Sequence, residues 1–374
     1  MVEYSCRWFA KFLLCSLIVL LEMSCNGDKE KEANPKTVFK YNELGSVTSL
    51  DPAAAFSLEN IWADNQLYNG LVQMNDLLNV EPCIARKWNI SSDGLTYTFN
   101  LRNDVFFHDD NYFKDGKGRK VTAQDFVYSF NRLLNPAVSS ATSLLSYVDS
   151  KNNNGFEALN DSTFTIHLIQ PFAPFLGILT MKYFSVVPKE AIDGYGTTFG
   201  KNPVGTGPFV FKTWDDGVKI VLVKNQNYFE YDTKNRLPYL DGVSISFVKD
   251  RESSFLSFLN GSLDMVSGFD AISSDKVFTD DGNLKDEYKG KFILQKQPSL
   301  KTDYLGFLID EKVDIVKKSP LKIKEVRQAI NYAGDSNKMV KYLRKNIGIA
   351  ATCGIMPPGL PGYDANKVKG YDYN

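Results

Sequence analysis

A turn built from two glycines and a proline, at residues 204–208, places the strongest local constraint on how this chain can fold. It lies within residues 202–229 and reads VGTGP. Glycine accepts a positive φ and lets another surface come close to the backbone, while proline fixes φ and removes a hydrogen-bond donor. The residues on either side of Asp216-Gly217 predict a β-hairpin with a two-residue turn. Taken alone, the stretch describes a surface hairpin with a glycine-rich entry, so its neighbours decide whether it has a functional meaning.

Two segments that follow different periods lie between residues 82 and 135. Apolar and polar residues alternate over residues 95–102, after an Asp93-Gly94 turn, which is typical of a half-buried antiparallel strand. Residues 122–135 carry an apolar stripe at helical spacing, and Thr122 with Asp125 matches a capping box. The chain is therefore predicted to be of the α/β class.

Further strands and helices are predicted from the same signals. Strands are expected at residues 37–41, 163–169, 243–248 and 302–310. Helices are expected at residues 59–71, with Ser57 as N-cap, at 253–260 and at 323–333, and a helix capped by Asp335 follows. Residues 171–188 are predicted to be a buried apolar passage.

Length and charge narrow the classes of function. The 374 residues suffice for two or three domains. The 43 basic residues are balanced by 44 acidic ones. The chain therefore has no broad positively charged surface, and we expect no nucleic-acid partner. Only two histidines occur, which disfavours most metal-dependent and acid–base enzymes.

No catalytic motif is found in the sequence. His108 stands beside Asp109 and Asp110, but three adjacent loop residues converge poorly on a metal, so a solvated acidic turn is the preferred interpretation. His167 lies on the polar face of its strand, where an exposed or hydrogen-bonded imidazole is the default. A serine hydrolase would need one of these two as partner and has no G-x-S-x-G element. We expect neither an enzyme nor a cofactor or metal.

Residues 1–25 are set apart as an export signal. Arg7 and Lys11 precede an apolar run that is too short to span a bilayer. Ser24-Cys25 is similar to a lipobox, in which Cys25 would be lipidated, although Glu22 departs from the usual pattern. Cleavage by the ordinary signal peptidase is the alternative. Residues 26–36 are charged and predict a solvated tether.

Two cysteines remain in the mature chain, Cys83 and Cys353. An exported compartment permits a disulfide between them. Their separation in the sequence leaves their distance open, and two buried thiols are the alternative.

Several motifs, in order, resemble those of the family 5 extracellular solute-binding proteins, the oligopeptide-, dipeptide- and nickel-binding lipoproteins of ABC importers. They are LDP at residues 50–52 with LYNGL at 67–71, PCIARKW at 82–88 with DGLTYTFNLR at 93–102, TAQDF at 122–126, PVGTGPF at 203–209, GSLD at 261–264 and VRQAINYA at 326–333. One departure is a longer loop where the family has a D-G-x-P turn, with Asp115-Gly116 as its nearest match.

The resemblance implies a periplasmic-binding-protein-like α/β fold of type II, cluster C. Its expected parts are a main lobe from residues 37–75 and 202–300, a small inserted domain at 76–201 and the start of a second lobe at 301–374. Because members of the family continue past the position of Asn374, the second lobe is expected to be incomplete and the chain truncated.

The same resemblance implies capture of oligopeptides or dipeptides in a cleft between lobes, for delivery to ABC permease subunits by a monomer that is lipid-anchored and faces the periplasm or cell surface. Matching positions would contact the ligand: Phe56, Ser57, Leu58, Thr142, Ser267, Gly268, Phe269 and Tyr304. The aromatic residues among these could instead belong to the core. The alternatives for function are another solute, such as a nickel chelate, haem or sugar, and a remnant that binds nothing.

Overall fold

The computed structural model describes residues 37–139, 141–150, 155–268, 271–296, 299–351, 353–371 and 373. The chain divides into two compact units, residues 1–247 and 248–374. The predicted export signal, the lipidation of Cys25 and the tether at 26–36 lie outside the described residues. The lobe boundaries predicted at residues 75/76, 201/202 and 300/301 stay predictions.

The first unit contains all the named strands and four α-helices of the described residues. The strands are β1 Val38–Asn42, β2 Val72–Met74, β3 Val80–Pro82, β4 Ala85–Ile90, β5 Thr96–Leu101, β6 Phe156–Asn160, β7 Thr163–His167, β8 Phe209–Asp215, β9 Lys219–Lys224, β10 Tyr231–Asp232, β11 Asn235–Arg236 and β12 Gly242–Ser246. The helices are α1 Leu58–Leu67, α2 Ala123–Leu133, α3 Phe175–Ile178 and α4 Lys189–Tyr195. Short 3-10 turns occupy Pro52–Ala54, Lys114–Gly116, Thr142–Leu145, Lys182–Phe184 and Gly196–Lys201.

One four-stranded sheet has the order β1-β12-β9-β8, with β1 parallel to β12 and the other pairs antiparallel. The hairpin predicted from the sequence is β8–β9. Its turn is longer than predicted, because Asp215 pairs with Lys219 and Val218 belongs to the loop. Gly217 takes a φ of 69° there, which a side chain would strain.

The second four-stranded sheet has the order β4-β5-β7-β6 and carries α2 against it. The alternation predicted for β5 is confirmed, since Tyr97, Phe99 and Leu101 are buried. The capping box of α2 is also confirmed: the Thr122 amide donates to Asp125 Oδ2 at 2.8 Å. The aromatic rings that join helix and sheet are buried, namely Phe99, Phe126, Phe130, Phe156 and Phe164.

Helix α1 begins as predicted and ends earlier than predicted. Ser57 is its N-cap and accepts the amide of Asn60 at 3.3 Å. Residues 68–71 leave the helix because Tyr68 takes an extended backbone (φ −133°, ψ 154°). The Tyr68 hydroxyl donates to the Leu50 carbonyl at 2.7 Å, which fixes this turn against the loop before the helix.

In the second unit the described residues form helices and isolated bridges. The helices are α5 Arg251–Leu259, α6 Ala271–Val277, α7 Asp314–Lys317, α8 Lys324–Ala333 and α9 Ser336–Lys338, with 3-10 turns at Asp286–Tyr288 and Pro320–Lys322 and a π turn at Met339–Leu343. Asp335 caps α9 as predicted.

The strand predicted at residues 302–310 is wrong: over the described residues 299–310 the backbone forms no strand. A strand requires a neighbour that takes its amides and carbonyls. The bridges of this unit join Phe278 to Leu284 and Lys289 to Phe292 instead. The sequence pattern of residues 302–310 was therefore insufficient by itself.

Candidate functional site

The segment at residues 56–58 is held in place by an ion pair on its N-terminal side. Asp51 caps the 3-10 turn Pro52–Ala54 by accepting the Ala53 amide at 3.0 Å. The same carboxylate accepts hydrogen bonds from both terminal nitrogens of Arg132 on α2, with Nη2–Oδ2 at 2.7 Å and Nη1–Oδ1 at 3.2 Å. A bidentate pair fixes orientation as well as distance. The loop that leads into α1 is thus tied to the C-terminal end of α2.

Three of the residues predicted to contact a ligand lie directly after this anchor. Phe56 is 66% exposed and Leu58 is 64% exposed, so neither is a core residue. The Ser57 side chain serves as the N-cap of α1. These contacts fix the backbone of the segment and leave its two large apolar side chains in solvent.

Thr142 meets the same end of α2. Its hydroxyl lies 3.1 Å from the carbonyl oxygen of Leu133 and 3.2 Å from that of Ser139. The hydroxyl is therefore already hydrogen-bonded to the backbone of its own unit. Since Leu133 follows Arg132, Thr142 and Asp51 both contact the C-terminal end of α2. A role of Thr142 in ligand contact would come through its backbone or methyl group.

The remaining predicted contacts belong to the second unit. Ser267 and Gly268 are exposed, and the Gly268 carbonyl accepts a hydrogen bond from Arg251 Nη1. Tyr304 is 70% exposed, so it is not a core aromatic residue. Phe269 lies outside the described residues. How these residues relate to those of the first unit stays a prediction.

The glycine-rich turn packs on the C-terminal end of α1. The Gly207 amide donates to the Leu67 carbonyl at 2.8 Å. A methyl group on Gly207 would lie 2.6 Å from the Gln66 carbonyl oxygen. A methyl group on Gly205 would overlap the Leu67 carbonyl oxygen. Both glycines are required by close approach, as predicted, whereas neither has a positive φ.

His108 holds this turn in place through two hydrogen bonds. Nothing in the sequence indicated this contact. The His108 backbone amide donates to the Gly205 carbonyl at 2.8 Å, and its Nε2 donates to the Gly207 carbonyl at 3.0 Å. Burial lowers the pKa of the imidazole to about 4. The prediction of a solvated turn is therefore wrong for His108. It holds for the exposed Asp109, which pairs with Lys117 at 2.7 Å.

Buried ionisable groups beside the turn were also missed. Asp64 is fully buried, and neither carboxylate oxygen has a hydrogen-bond partner among the described residues. Burial raises its pKa well above the usual range, so the neutral acid is favoured. Lys182 donates to the Tyr68 carbonyl at 3.3 Å, and burial lowers the pKa of its amine. A single aspartate in a helix gives no sequence signal that it is buried.

Cys83 is a buried thiol, and Cys353 is a half-buried thiol. Burial, with a smaller contribution from Glu230, raises the pKa of Cys83 to about 12. A protonated, inaccessible sulfur is a poor nucleophile. Cys83 is therefore an inert thiol by itself, and whether it pairs with Cys353 of the second unit stays a prediction.

A second buried acid lies near the start of α1. Glu43 follows β1, and its Oε1 has no hydrogen-bond partner among the described residues. Burial, and next the charge of Glu59, raise the pKa of Glu43 to about 7. The carboxylate of Glu59 lies against Gly45. The carboxylates of Glu43 and Glu59 therefore lie close enough for their charges to interact.

Within the described ranges, no group of three or more His, Cys, Asp or Glu side chains is arranged to hold a metal ion. Among the helices of those ranges, none combines the length and apolar composition that crossing a bilayer requires.

The match to a family model decides the classification. Residues 79–374 match the bacterial extracellular solute-binding proteins, family 5 Middle. This chain belongs to that family. The family 5 members are extracellular solute-binding proteins rather than enzymes, and the expected periplasmic-binding-protein-like α/β fold is confirmed.

Named relatives support the assignment to family 5. Heme-binding protein A of Haemophilus influenzae is 29% identical over 361 residues, which cover 92% of this chain and 61% of that protein. The dipeptide-binding protein of Escherichia coli is 28% identical over 322 residues, covering 82% and 55%. The periplasmic binding protein DppA of Helicobacter pylori, solved with the peptide STSA, superposes with a TM-score of 0.73 at 27% identity, covering 91% and 64%. This family 5 chain therefore spans about three fifths of the length of these relatives.

Proposed function

We propose that this protein is the solute-binding component of an ABC importer and captures oligopeptides or dipeptides. The observation that carries the proposal is the likeness to the STSA complex of DppA, at 27% identity over 91% of this chain. The fixed and exposed segment at residues 56–58 supports it. An extended peptide gains affinity from main-chain pairing whatever its side chains are. Arg132 and Asp51 would keep the receiving backbone in position.

The test is binding of peptides to the mature protein without its predicted export signal. The protein is mixed with a library of di- to pentapeptides, separated from free peptide by gel filtration, and the retained peptides are identified by mass spectrometry. Isothermal titration then gives the Kd of each retained peptide. Enrichment of peptides with saturable heat supports the proposal. Absence of heat with every library fraction overturns it and favours the remnant that binds nothing.

Haem is a second candidate ligand, because the 29% identical relative is a haem-binding protein. The two histidines do not favour haem as the ligand. His108 is buried and its Nε2 is hydrogen-bonded to the Gly207 carbonyl, while His167 Nδ1 lies 3.3 Å from Thr96 Oγ1. Titration with hemin distinguishes the two ligands. A saturable Soret shift that excess peptide does not reverse would favour haem over peptides.

We further propose that the protein is an exported monomer, anchored through lipid on Cys25, and that it performs no catalysis. The description of its family as extracellular supports export. Incorporation of an alkyne-tagged fatty acid into wild type but not into Cys25→Ala would support the anchor. Labelling that persists in Cys25→Ala would overturn it. Light scattering after gel filtration tests the monomer.

The lobe boundaries given above are also retained as a proposal. Limited proteolysis, with the fragments identified by mass spectrometry, tests them. Cuts that collect near residues 75, 201 and 300 would support the boundaries, and cuts confined to other loops would overturn them.

A further inference from the structure

Helix α1 departs from the pattern of an ordinary surface helix at several positions, although Ala63 and Leu67 are buried as usual. Its polar residues Asn60 and Asp64 are fully buried, while Leu58 is 64% exposed and Trp62 is 40% exposed. A surface helix usually turns its apolar stripe to the core and its polar residues to water. Because buried polar and exposed apolar residues are the informative exceptions, these four positions call for a physical cause.

The buried polar residues fix which face of the helix points outwards. The Asn60 side chain exchanges two hydrogen bonds with Thr48: its Oδ1 accepts the Thr48 amide at 3.1 Å, and its Nδ2 donates to the Thr48 hydroxyl at 3.2 Å. Rolling the helix to bury Leu58 and Trp62 would break both bonds and carry Asn60 towards solvent. The exposed apolar face is therefore imposed by the fold.

The exposed face forms an apolar shelf, defined here as Phe56, Leu58, Ile61 and Trp62. Leu58 and Trp62 are four residues apart and lie on the same side of the helix. Ile61 is half-buried beside them. None of the four is ionisable, and the carboxylate of the intervening Glu59 is directed to Gly45.

We propose that this apolar shelf determines specificity by receiving a bulky apolar or aromatic side chain of the bound peptide, with Trp62 as its main contact. The inference rests on the proposed function. The shelf is continuous with the segment at 56–58, where the peptide backbone is proposed to pair. A charged group placed on these four side chains would lose water without gaining an ionic partner from them. An aromatic side chain would bury area and stack on the indole.

The experiment compares the tripeptides Ala-Phe-Ala, Ala-Ala-Ala and Ala-Asp-Ala by isothermal titration against wild type and Trp62→Ala. Wild type should bind the Phe peptide about tenfold or more tightly than the other two, as burial of one aromatic side chain predicts. Trp62→Ala should lose most of that preference, because its affinity for the Phe peptide falls more than that for the other two, and Trp62→Phe should retain it. Leu77→Ala, which removes an 80% exposed side chain elsewhere, is the matched control and should change nothing.

Two outcomes would overturn the inference while the proposed function stands: equal affinity of wild type for all three peptides, or an equal loss for all three in Trp62→Ala. Failure of every peptide to bind would overturn both. A variant with Trp88→Phe and Trp214→Phe leaves Trp62 as the only tryptophan of the mature chain. Its fluorescence should be quenched by acrylamide without peptide and protected with Ala-Phe-Ala. Protection already present without peptide would also contradict the inference.

Discussion

Arg132 and Asp51 form a bidentate ion pair across 81 residues of sequence, with only 14% and 16% of their side chains exposed. The pair joins the C-terminal end of α2 to the loop that enters α1. It thus fixes the loop that leads to the exposed segment at residues 56–58.

Removal of either member of this pair should destabilise the first unit. Arg132→Gln or Asp51→Asn leaves a largely buried charge without its partner, so we expect a loss of about 2–4 kcal/mol in the free energy of unfolding. Urea-induced unfolding followed by circular dichroism measures it. The double variant should lose less than the sum of the two single variants, because the pair acts as a unit.

The control for this prediction is Asp104→Asn. Asp104 pairs with Arg102 at 2.8 Å, but its side chain is 52% exposed, and exposed pairs contribute at most about 1 kcal/mol. Comparable losses in Asp51→Asn and Asp104→Asn would contradict the importance given to burial of the first pair.

The glycine-rich turn gives a second prediction. Gly207→Ala places a methyl group 2.6 Å from the Gln66 carbonyl oxygen, and backbone at a helix end cannot move away easily. We expect a loss of about 2–3 kcal/mol, the usual cost of overpacking. Gly177→Ala is the matched control, since nothing lies within 4 Å of its added methyl group. That control should be neutral or gain up to about 1 kcal/mol from the higher helix propensity of alanine. Similar changes in both variants would argue against close packing as the reason for Gly207.

Features of this fold that depend on near neighbours were predictable from sequence. The Ser57 cap, the capping box of Thr122 and Asp125 and the alternation in β5 each involve residues a few positions apart. The position of the segment at 56–58 was taken from the order of the motifs, and its contact with a ligand stays a prediction. These signals suffice because the hydrogen bonds that they describe are local.

Features that depend on distant partners were not predictable in the same way. His108 is buried by Gly207, 99 residues later in the chain, and nothing next to His108 indicates this. The length of α1 depends on the bond from Tyr68 to Leu50, which the helical pattern of residues 59–71 does not contain. The outward face of α1 was missed because it depends on the hydrogen bonds between Asn60 and Thr48. A polar residue such as Asn60 is usually expected on the solvent side of a helix.

Glu43 predicts how stability changes at neutral pH. Its pKa rises from an ordinary value of 4.5 to about 7 in the folded protein. The folded state therefore holds this proton more tightly than the unfolded state, and the contribution to stability is full below about pH 4.5 and is lost as pH rises through 7. We expect Glu43→Gln to become more stable relative to wild type between about pH 5 and pH 8, by about 2–3 kcal/mol.

The measurement is urea unfolding of wild type and Glu43→Gln at several pH values across this range. Glu59→Gln should shift the same dependence only partly, because burial is the larger cause of the raised pKa and the Glu59 charge the smaller. Parallel pH profiles of wild type and Glu43→Gln would rule out Glu43 as the titrating group.

The pKa of His108 predicts that stability falls as pH is lowered, the opposite of the pH dependence expected from Glu43. The folded pKa of His108, about 4, lies below the ordinary 6.5, since burial disfavours the charged imidazole. The unfolded state therefore binds a proton first as pH falls, and stability that is full above about pH 6.5 is lost on the way down to 4.

A His167→Gln variant leaves His108 as the only histidine, so its ring nitrogens can be observed by long-range proton–nitrogen NMR without overlap. We expect the neutral Nε2–H tautomer, because Nε2 donates to the Gly207 carbonyl, and chemical shifts that stay constant down to about pH 5. The hydrogen bond from Nε2 also predicts that the Nε2 proton exchanges slowly with solvent. An imidazole that titrates near its ordinary value, or that carries its proton on Nδ1, would show that His108 does not hold the glycine-rich turn in solution.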